Sequence, residues 1–217
     1  MNRHPLHHPS NEMLLDYASG SITDGRALIV SAHLAFCPAC RGQVAAAECV
    51  GGEMLETETD AEVADGLDPS YVRGAAIESD GALDDGRFAF APRHLRRLLA
   101  KSGNGWVNVW FGVKELPVPG FSPAARLLRI PASRRMPRHD HAGEEMTLVL
   151  KGSFSDSTGR FLAGDLQFGM PGLEHQPLAG PEGECVCLVV EQGGLKLSGW
   201  LGRLVEWRGG KAEPKAA

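Results

Sequence analysis

Apolar positions between residues 10 and 57 recur at helical spacing and predict three short helices. Ser10 is a suitable N-cap for the first helix, NEMLLDYAS, and Gly20 is a suitable stop. The second helix covers DGRALIVSAHLAF, and Pro38 fits the first turn of an alanine-rich third helix. Three helices of this length bury little apolar surface, so we expect a further cross-link to stabilise them.

The pattern changes at about residue 87, where short runs rich in β-branched and aromatic residues begin. These runs are WVNVWFGVKEL, ARLLRIP, MTLVLKGSF, GDLQF and CVCLVVE, with turn residues between them. Several such runs at this spacing predict an all-β sandwich or barrel. A short basic helix over residues 92–101 is expected to precede the strands.

The segment between the two patterns, residues 58–86, is acidic, poor in aromatic residues and interrupted by Gly and Pro, which is typical of a linker. We therefore predict an α+β protein of two domains, all-α then all-β. The predicted boundaries are 1–60 for the helical domain, 61–86 for the acidic linker and 87–210 for the β domain.

Charge is distributed unevenly along the 217 residues, whose net charge is −5. Residues 1–60 carry three basic and eight acidic groups and residues 61–86 carry one and seven, whereas residues 87–217 carry 18 and 12. An acidic first half argues against nucleic acid as a direct partner, because phosphates would be repelled. It favours a basic protein partner, such as a DNA-binding protein, although a solvated acidic surface is the alternative.

Neither a membrane segment nor a secretion signal is visible in the sequence. No run of eighteen or more apolar residues is present, and the first residues, MNRHPLHHPSNEM, lack an apolar core. We therefore expect a cytoplasmic protein with no membrane partner.

The stretch HLAFCPAC brings together His33, Cys37 and Cys40. His33 and Cys37 share a helix face, and Cys40 lies just beyond the Pro38 turn, so the three side chains can converge. Thiolates and imidazoles of this kind are typical ligands of tetrahedral zinc, which needs a fourth. The candidates for that fourth ligand are the histidines of the N-terminal arm, His4, His7 and His8. A redox pair without the usual βαβ setting, or two buried structural cysteines, are the alternatives.

This stretch, within HHPSNEMLLDYASGSITDGRALIVSAHLAFCPAC, resembles the zinc-binding anti-sigma domain, whose signature is an upstream histidine followed by His-x3-Cys-x2-Cys. The resemblance covers roughly residues 4–57. In that family the histidine directly before the first helix is the remaining ligand, and His8 fits this place best. The resemblance implies a zinc ion bound by His8, His33, Cys37 and Cys40, and a domain that binds an extracytoplasmic-function sigma factor.

A second group of potential ligands lies in PRHDHAGEEMTLVLKG, where His139 and His141 would share one face of a strand and Glu145 follows. Further along, GDLQFGMPGLEH ends in His175. Three histidines and one carboxylate suit a divalent metal such as Zn, Fe, Mn, Ni or Cu. A metal-free site and four unbound polar residues remain alternatives.

These two segments resemble the two motifs of the cupin fold, a β-barrel with its metal inside, over about residues 120–192. The second motif departs from the family pattern, because Gly164 lies one residue further from Pro171 than usual and no asparagine follows His175. The departure weakens any assignment of a specific enzyme activity but leaves the ligand set intact. The resemblance implies a bound divalent metal, with zinc as the first expectation.

Three cysteines lie outside the first motif. Cys185 and Cys187 would share a strand face and are too close in sequence for an easy disulfide, so we expect core packing, with a redox-sensitive or metal-adjacent pair as the alternative. Cys49, on the alanine-rich helix, is expected to be buried and inert.

The order of zinc domain, acidic linker and cupin resembles the ChrR-type anti-sigma factors over nearly the whole chain. The resemblance implies a regulatory protein, not an enzyme, that inhibits an extracytoplasmic-function sigma factor. It also implies release of that factor in response to singlet oxygen or organic peroxide, for which the cupin is required. One alternative is a metal-dependent cupin enzyme of dioxygenase or isomerase type with a zinc-bound docking module. The other is a zinc-finger DNA binder, against which the acidic first domain argues. The oligomeric state is not predicted.

Overall fold

The structure is a computed structural model that describes residues 4–57, 86–102 and 105–197. Four helices are described: α1 (Asn11–Ser19), α2 (Asp24–Leu34), α3 (Pro38–Thr57) and α4 (Arg93–Lys101). All four lie where the sequence predicts them. The Ser10 hydroxyl accepts a hydrogen bond from the Met13 amide, and Gly20 ends α1 in the left-handed conformation with φ of 73°. Both predicted ends of α1 are thus confirmed.

Eleven short strands follow within the described residues. They are β1 (Val107–Trp110), β2 (Val113–Val118), β3 (Ala124–Ile130), β4 (His139–His141), β5 (Glu145–Lys151), β6 (Ser153–Asp156), β7 (Gly159–Leu162), β8 (Leu166–Gly169), β9 (Leu178–Ala179), β10 (Cys185–Glu191) and β11 (Leu195–Leu197). A six-stranded sheet has the order β1-β2-β3-β10-β5-β8, a three-stranded sheet the order β7-β6-β9, and β11 pairs with β4. All the strand pairings are antiparallel.

Strand β10 shows how the two faces of the large sheet are used. All seven of its residues are buried, which explains the continuous apolar run CVCLVVE. Cys185, Cys187 and Val189 belong to one core cluster, with residues of the three-stranded sheet. Leu188 and Val190 alternate with them and belong to another cluster, which includes the helices. The two sheets therefore enclose one core, and the outer face of the large sheet supports a second.

Helix α2 lies on that outer face. Its Leu28, Ile29 and Ala32 are buried in the same core as Leu127 of β3 and Leu148 of β5. The helical segment and the barrel therefore share one continuous apolar core, and α2 is the element that joins them.

The start of α2 makes a close polar contact with the barrel as well. The Gly25 amide donates a hydrogen bond to the carbonyl of Ser122, and a Cβ atom on Gly25 would lie 2.3 Å from the carbonyl oxygen of Pro123. Only glycine allows this approach. The next residue, Arg26, forms an ion pair with Glu144 at the turn between β4 and β5.

Helix α3 differs from α2 because its second half is exposed. Every residue from 48 to 56 is exposed, including Cys49, so the expectation that Cys49 is buried is wrong. The alanine-rich sequence sets helical propensity but does not supply an apolar face wide enough to bury the last turns. By contrast, Cys185 and Cys187 are buried in the core as expected.

The predicted linker, residues 61–86, lies almost entirely outside the described residues, so the three domain boundaries stay predictions. Among the described helices, none has the length and apolar character needed to cross a membrane.

Candidate metal sites

The first cluster gathers the motif residues of the helical segment and one histidine of the N-terminal arm. His33 lies in the last turn of α2, Cys37 between the helices, and Cys40 in the first turn of α3. Their potential ligand atoms, together with one from His8, all lie within 4.8 Å of one another. His8 Nδ1 is 3.4 Å from the Sγ atom of each cysteine, and His33 Nε2 is 3.4 Å from Cys40 Sγ.

Hydrogen bonding orients the His33 ring. Its Nδ1 lies 2.8 Å from the carbonyl oxygen of Gly164, which can only accept, so Nδ1 carries the proton and Nε2 presents a lone pair to the cluster. Burial lowers the pKa of His33, which favours the neutral ring that a metal requires. Burial also raises the pKa of the Cys40 thiol to about 12, assisted by its hydrogen bond with Cys37.

The other two arm histidines lie elsewhere. His4 is exposed. His7 packs against Phe161 in a tilted arrangement, with ring centroids 4.4 Å apart, and its Nδ1 is 3.6 Å from Asp165 Oδ1. Of the three histidines that the sequence offered, the structure brings only His8 to the cysteines.

The residues present in this cluster fit a metal ion. Cys37, Cys40 and His33 are buried, and two thiols with two imidazoles are the donor set of structural zinc sites. A bound cation would favour the thiolate forms, which burial alone disfavours. The cluster therefore satisfies the chemical requirements of a small tetrahedral site.

The second cluster lies inside the barrel. His139 and His141 point to the same side of β4, as their spacing predicts, and His175 is joined to His139 by a pair of backbone hydrogen bonds of 3.0 Å. One nitrogen of each of the three rings lies within 4.8 Å of the others, and His141 Nε2 is 3.0 Å from His175 Nε2. All three rings are buried, and burial lowers the pKa of His139 to about 4.

Two of these rings are oriented by acceptors on their outer nitrogens. His139 Nδ1 lies 2.8 Å from the Pro137 carbonyl oxygen, and His175 Nδ1 lies 2.8 Å from Asp156 Oδ2. Each Nε2 atom is thereby left as the metal-facing lone pair, and three buried imidazoles with such acceptors fit a divalent metal.

Glu145 lies on the other side of His141 from the remaining histidines. Its Oε2 is 3.6 Å from His141 Nδ1 and 3.5 Å from Arg126 Nη2, and its Oε1 accepts from the Thr147 hydroxyl. Burial raises the pKa of Glu145. The structure groups it with His141 and Glu191, whereas the three histidines form a group of their own.

The comparisons with known proteins identify the family. A family model described as the ChrR cupin-like domain matches residues 102–194. The chain is also 33% identical to the anti-sigma-E factor ChrR of Cereibacter sphaeroides over 214 residues, which cover 92% of this chain and 96% of the relative. The chain belongs to the ChrR family of anti-sigma factors.

A solved structure agrees with this family assignment. One chain from the crystal structure of Rhodobacter sphaeroides SigE in complex with the anti-sigma ChrR is 31% identical, with a TM-score of 0.67. The match covers 86% of this chain and 98% of that chain. The matches confirm the predicted fold, a small all-α domain followed by an all-β cupin barrel, and the regulatory rather than enzymatic nature of the family.

In this member of the ChrR family, two acidic residues beside the cupin histidines were not anticipated from the sequence. The side chain of Asp156 is buried at the end of β6, where hydrogen bonds from His175, Thr158 and Gln167 outweigh burial and lower the pKa of the carboxyl group. Glu191 ends β10, where Arg126 Nη2 lies 2.5 Å from its Oε2. The position of Glu191 could have been found from the sequence. In the run CVCLVVE it alternates with Cys187 and Val189, so the three side chains lie on the same inward face of the strand.

Two openings adjoin the barrel histidines. A cavity of about 50 Å³ reaches His139, Glu145 and His175 and has apolar walls that include Leu128 and Phe154. An outer cleft is lined by Arg135, Arg138 and His175, so two basic side chains lie beside the cluster.

Proposed function

We propose that this protein binds and inhibits an extracytoplasmic-function sigma factor in the cytoplasm and releases it under oxidative stress, from singlet oxygen or organic peroxide, through its metal-binding cupin domain. The observation that carries the proposal is the match over nearly the whole chain to ChrR, including a solved complex of ChrR with SigE. The oxidative signal follows from the family resemblance of the sequence.

The surface proposed for the sigma factor is the exposed half of α3. Val50 and Met54 are 59% and 65% exposed and, four residues apart, share one face, with Leu55 beside them at 77%. Exposed apolar groups that cluster in this way are typical of a protein interface. Glu48, Glu53 and Glu56 alternate with them, which suits the basic surface of a protein that itself binds DNA.

In the first cluster, His8, His33, Cys37 and Cys40 would hold zinc, which when bound would supply the cross-link between the arm, α2 and α3 that the small helical core requires. The chain's own part is to place these ligands. The turn after α2 positions Cys37 and Cys40, and the Cys40 amide donates to Cys37 Sγ at 3.4 Å. With the ligands so placed, α3 would leave the domain in a fixed direction and present its exposed half to the partner.

In the second cluster, His139, His141 and His175, with Glu145 beside them, would hold a divalent metal, for which zinc is our first expectation. The residues around them bury the three rings and fix their orientation, and the small apolar cavity next to the histidines would admit only a small molecule. These features suit a sensing site, because a small molecule in the cavity would change the surroundings of the buried histidines.

The test is binding and inhibition of the sigma factors of the host by the full chain. We expect one sigma factor to form a stable complex and lose transcription activity, with about two metals per chain. The double variant Cys37→Ser/Cys40→Ser is expected to lose one metal, sigma binding and inhibition together, whereas Cys49→Ser, on the exposed part of α3, keeps both metals. Inhibition retained by the double variant would contradict the zinc role, and turnover of a small substrate without any sigma complex would favour the enzyme alternative.

A further inference from the structure

The turn between β7 and β8 belongs to the barrel but supports the first cluster. The carbonyl of Gly164 accepts the hydrogen bond from His33 Nδ1 at 2.8 Å. The Oδ1 atom of Asp165, a residue only 1% exposed, accepts from the amides of Leu6 and His7 at 2.6 and 3.1 Å. These amides directly precede His8 in the chain. One turn of the barrel therefore sets the position of two of the four potential ligands.

This turn has little freedom to move independently of the helices. Gly164 has φ of 93°, and a Cβ atom there would lie 2.8 Å from both Phe36 Cβ and Pro5 Cγ. The second carboxylate oxygen of Asp165 accepts from the Leu162 amide at 2.8 Å, which closes the turn on itself. A displacement of the turn would therefore be transmitted to the arm and to the end of α2.

The strand that follows the turn reaches the second cluster. The Gln167 side chain donates to Asp156 Oδ2 at 2.7 Å, and the same oxygen accepts from His175 Nδ1 at 2.8 Å. At the end of the strand, a Cβ atom on Gly169 would lie 3.0 Å from His141 Cδ2, so this ring packs against the backbone. Two of the three barrel histidines are thus supported by β8.

We propose that residues 164–169 couple the two clusters mechanically, so that metal occupancy in the barrel changes the affinity of the helical cluster for its own metal. The proposal rests on the two metal sites of the proposed function. The segment spans about 17 Å when extended, and each end touches a different cluster. Direct coupling of this kind does not require a signal to pass along the acidic linker. By linkage the effect must be reciprocal.

Filling the barrel site would fix His141 and His175, and with them β8, in the position that supports His33 and the arm. We therefore expect a filled barrel site to strengthen metal binding at the helical cluster. The expected effect is about five-fold or more, the usual size of a coupling between two sites.

The experiment uses the full chain and Co²⁺ as the probe. The sulfur-to-cobalt charge-transfer band reports the helical cluster alone, since the barrel ligands include no thiolate. The cobalt affinity of this cluster is measured in the wild type and in His139→Ala, which empties the barrel site. The same two measurements are then made in chains that also carry Asp165→Asn. We expect His139→Ala to weaken cobalt binding at the helical cluster about five-fold or more when Asp165 is intact, and to have no effect on it in the Asp165→Asn background.

Arg26→Gln is the matched control, because it removes another charged contact between the helices and the barrel, with Glu144, away from the turn. The effect of His139→Ala is expected to persist in this background. If Asp165→Asn fails to fold, Gly164→Ala, which forces the turn away from Phe36, takes its place with the same expectation. An unchanged affinity in His139→Ala overturns the proposal, and so does a coupling that Arg26→Gln also abolishes, because docking in general would then be responsible.

Failure of this inference is distinguishable from failure of the proposed function. A wild-type chain that inhibits a sigma factor but shows no coupling contradicts the inference alone. A chain that shows the coupling but binds no sigma factor contradicts the proposed function alone.

Discussion

Replacing Asp156 by asparagine is expected to weaken metal binding in the barrel by about 10- to 100-fold, the usual cost of losing the carboxylate behind a metal-binding histidine. The side chain of Asp156 has no exposed surface and accepts four hydrogen bonds: from His175 Nδ1 at 2.8 Å, Gln167 Nε2 at 2.7 Å, and the amide and hydroxyl of Thr158 at 2.8 and 2.6 Å. The carboxylate therefore holds the His175 ring in one tautomer and one orientation.

The structure explains why the near-isosteric change is costly. If the amide nitrogen of asparagine replaced Oδ2, it would face two donors, His175 Nδ1–H and the Gln167 amide. If it replaced Oδ1, it would face the backbone N–H of Thr158. Each orientation loses at least one hydrogen bond and removes the negative charge, so a loss of about 1.4–2.7 kcal/mol in metal binding follows from the expected range.

The assay is competition between the full chain and a chromophoric zinc chelator, with the helical cluster followed separately through its cobalt–thiolate band. Glu174→Gln is the control, because it also removes one negative charge and lies directly before His175 in the sequence. The Glu174 side chain forms an exposed ion pair with Arg138. An unchanged zinc affinity in Asp156→Asn, or an equal loss in Glu174→Gln, would refute the positioning role of Asp156.

Three further predictions concern the interface, the pH dependence and the shared core. Val50→Asp should weaken sigma binding about tenfold or more, whereas Val107→Asp, at a comparably exposed valine of the barrel, should not, as measured by binding titration. Burial lowers the pKa of His139 from 6.5 to about 4 in the folded chain. As the pH falls from 7 to 5, this histidine therefore becomes protonated in the unfolded metal-free chain but not in the folded one, and this favours unfolding. Between pH 7 and pH 5 the wild type should therefore lose about 2 kcal/mol more unfolding free energy than His139→Gln. An equal pH dependence of both chains would contradict this. Ile29→Ala should cost about 2–5 kcal/mol and lower the melting temperature of the helices and the barrel together, since Ile29 lies in their common core; separate transitions in calorimetry would contradict it.

Features governed by neighbouring residues could be predicted from the sequence. The limits of α1 depend on a cap at Ser10 and a left-handed residue at Gly20, both of which are local. The convergence of His33, Cys37 and Cys40 follows from helix geometry and one turn. The same-side placement of His139 and His141 follows from strand geometry, as the burial of both rings illustrates.

Features that depend on tertiary contacts could not be predicted in this way. Asp156 lies in the run SFSDS, where nothing distinguishes it from a solvated turn residue, and its partner His175 is 19 residues away. The exposure of Cys49 depends on whether another element covers that part of α3, which helical propensity does not determine.

The connection between the two clusters through the turn between β7 and β8 is the clearest feature that the sequence could not predict. The group that orients His33 is a backbone carbonyl, that of Gly164, and every residue of a chain carries one, so no residue type marks it. The sequence divides the chain into two motifs separated by an acidic segment and thereby suggests that any signal must travel along that segment. In the folded chain α2 lies on the barrel, and the turn before β8 contacts the helical cluster directly. A direct physical connection therefore runs across the contact between the helices and the barrel, through a strand of four residues, and we expect substitutions there to separate sensing from inhibition.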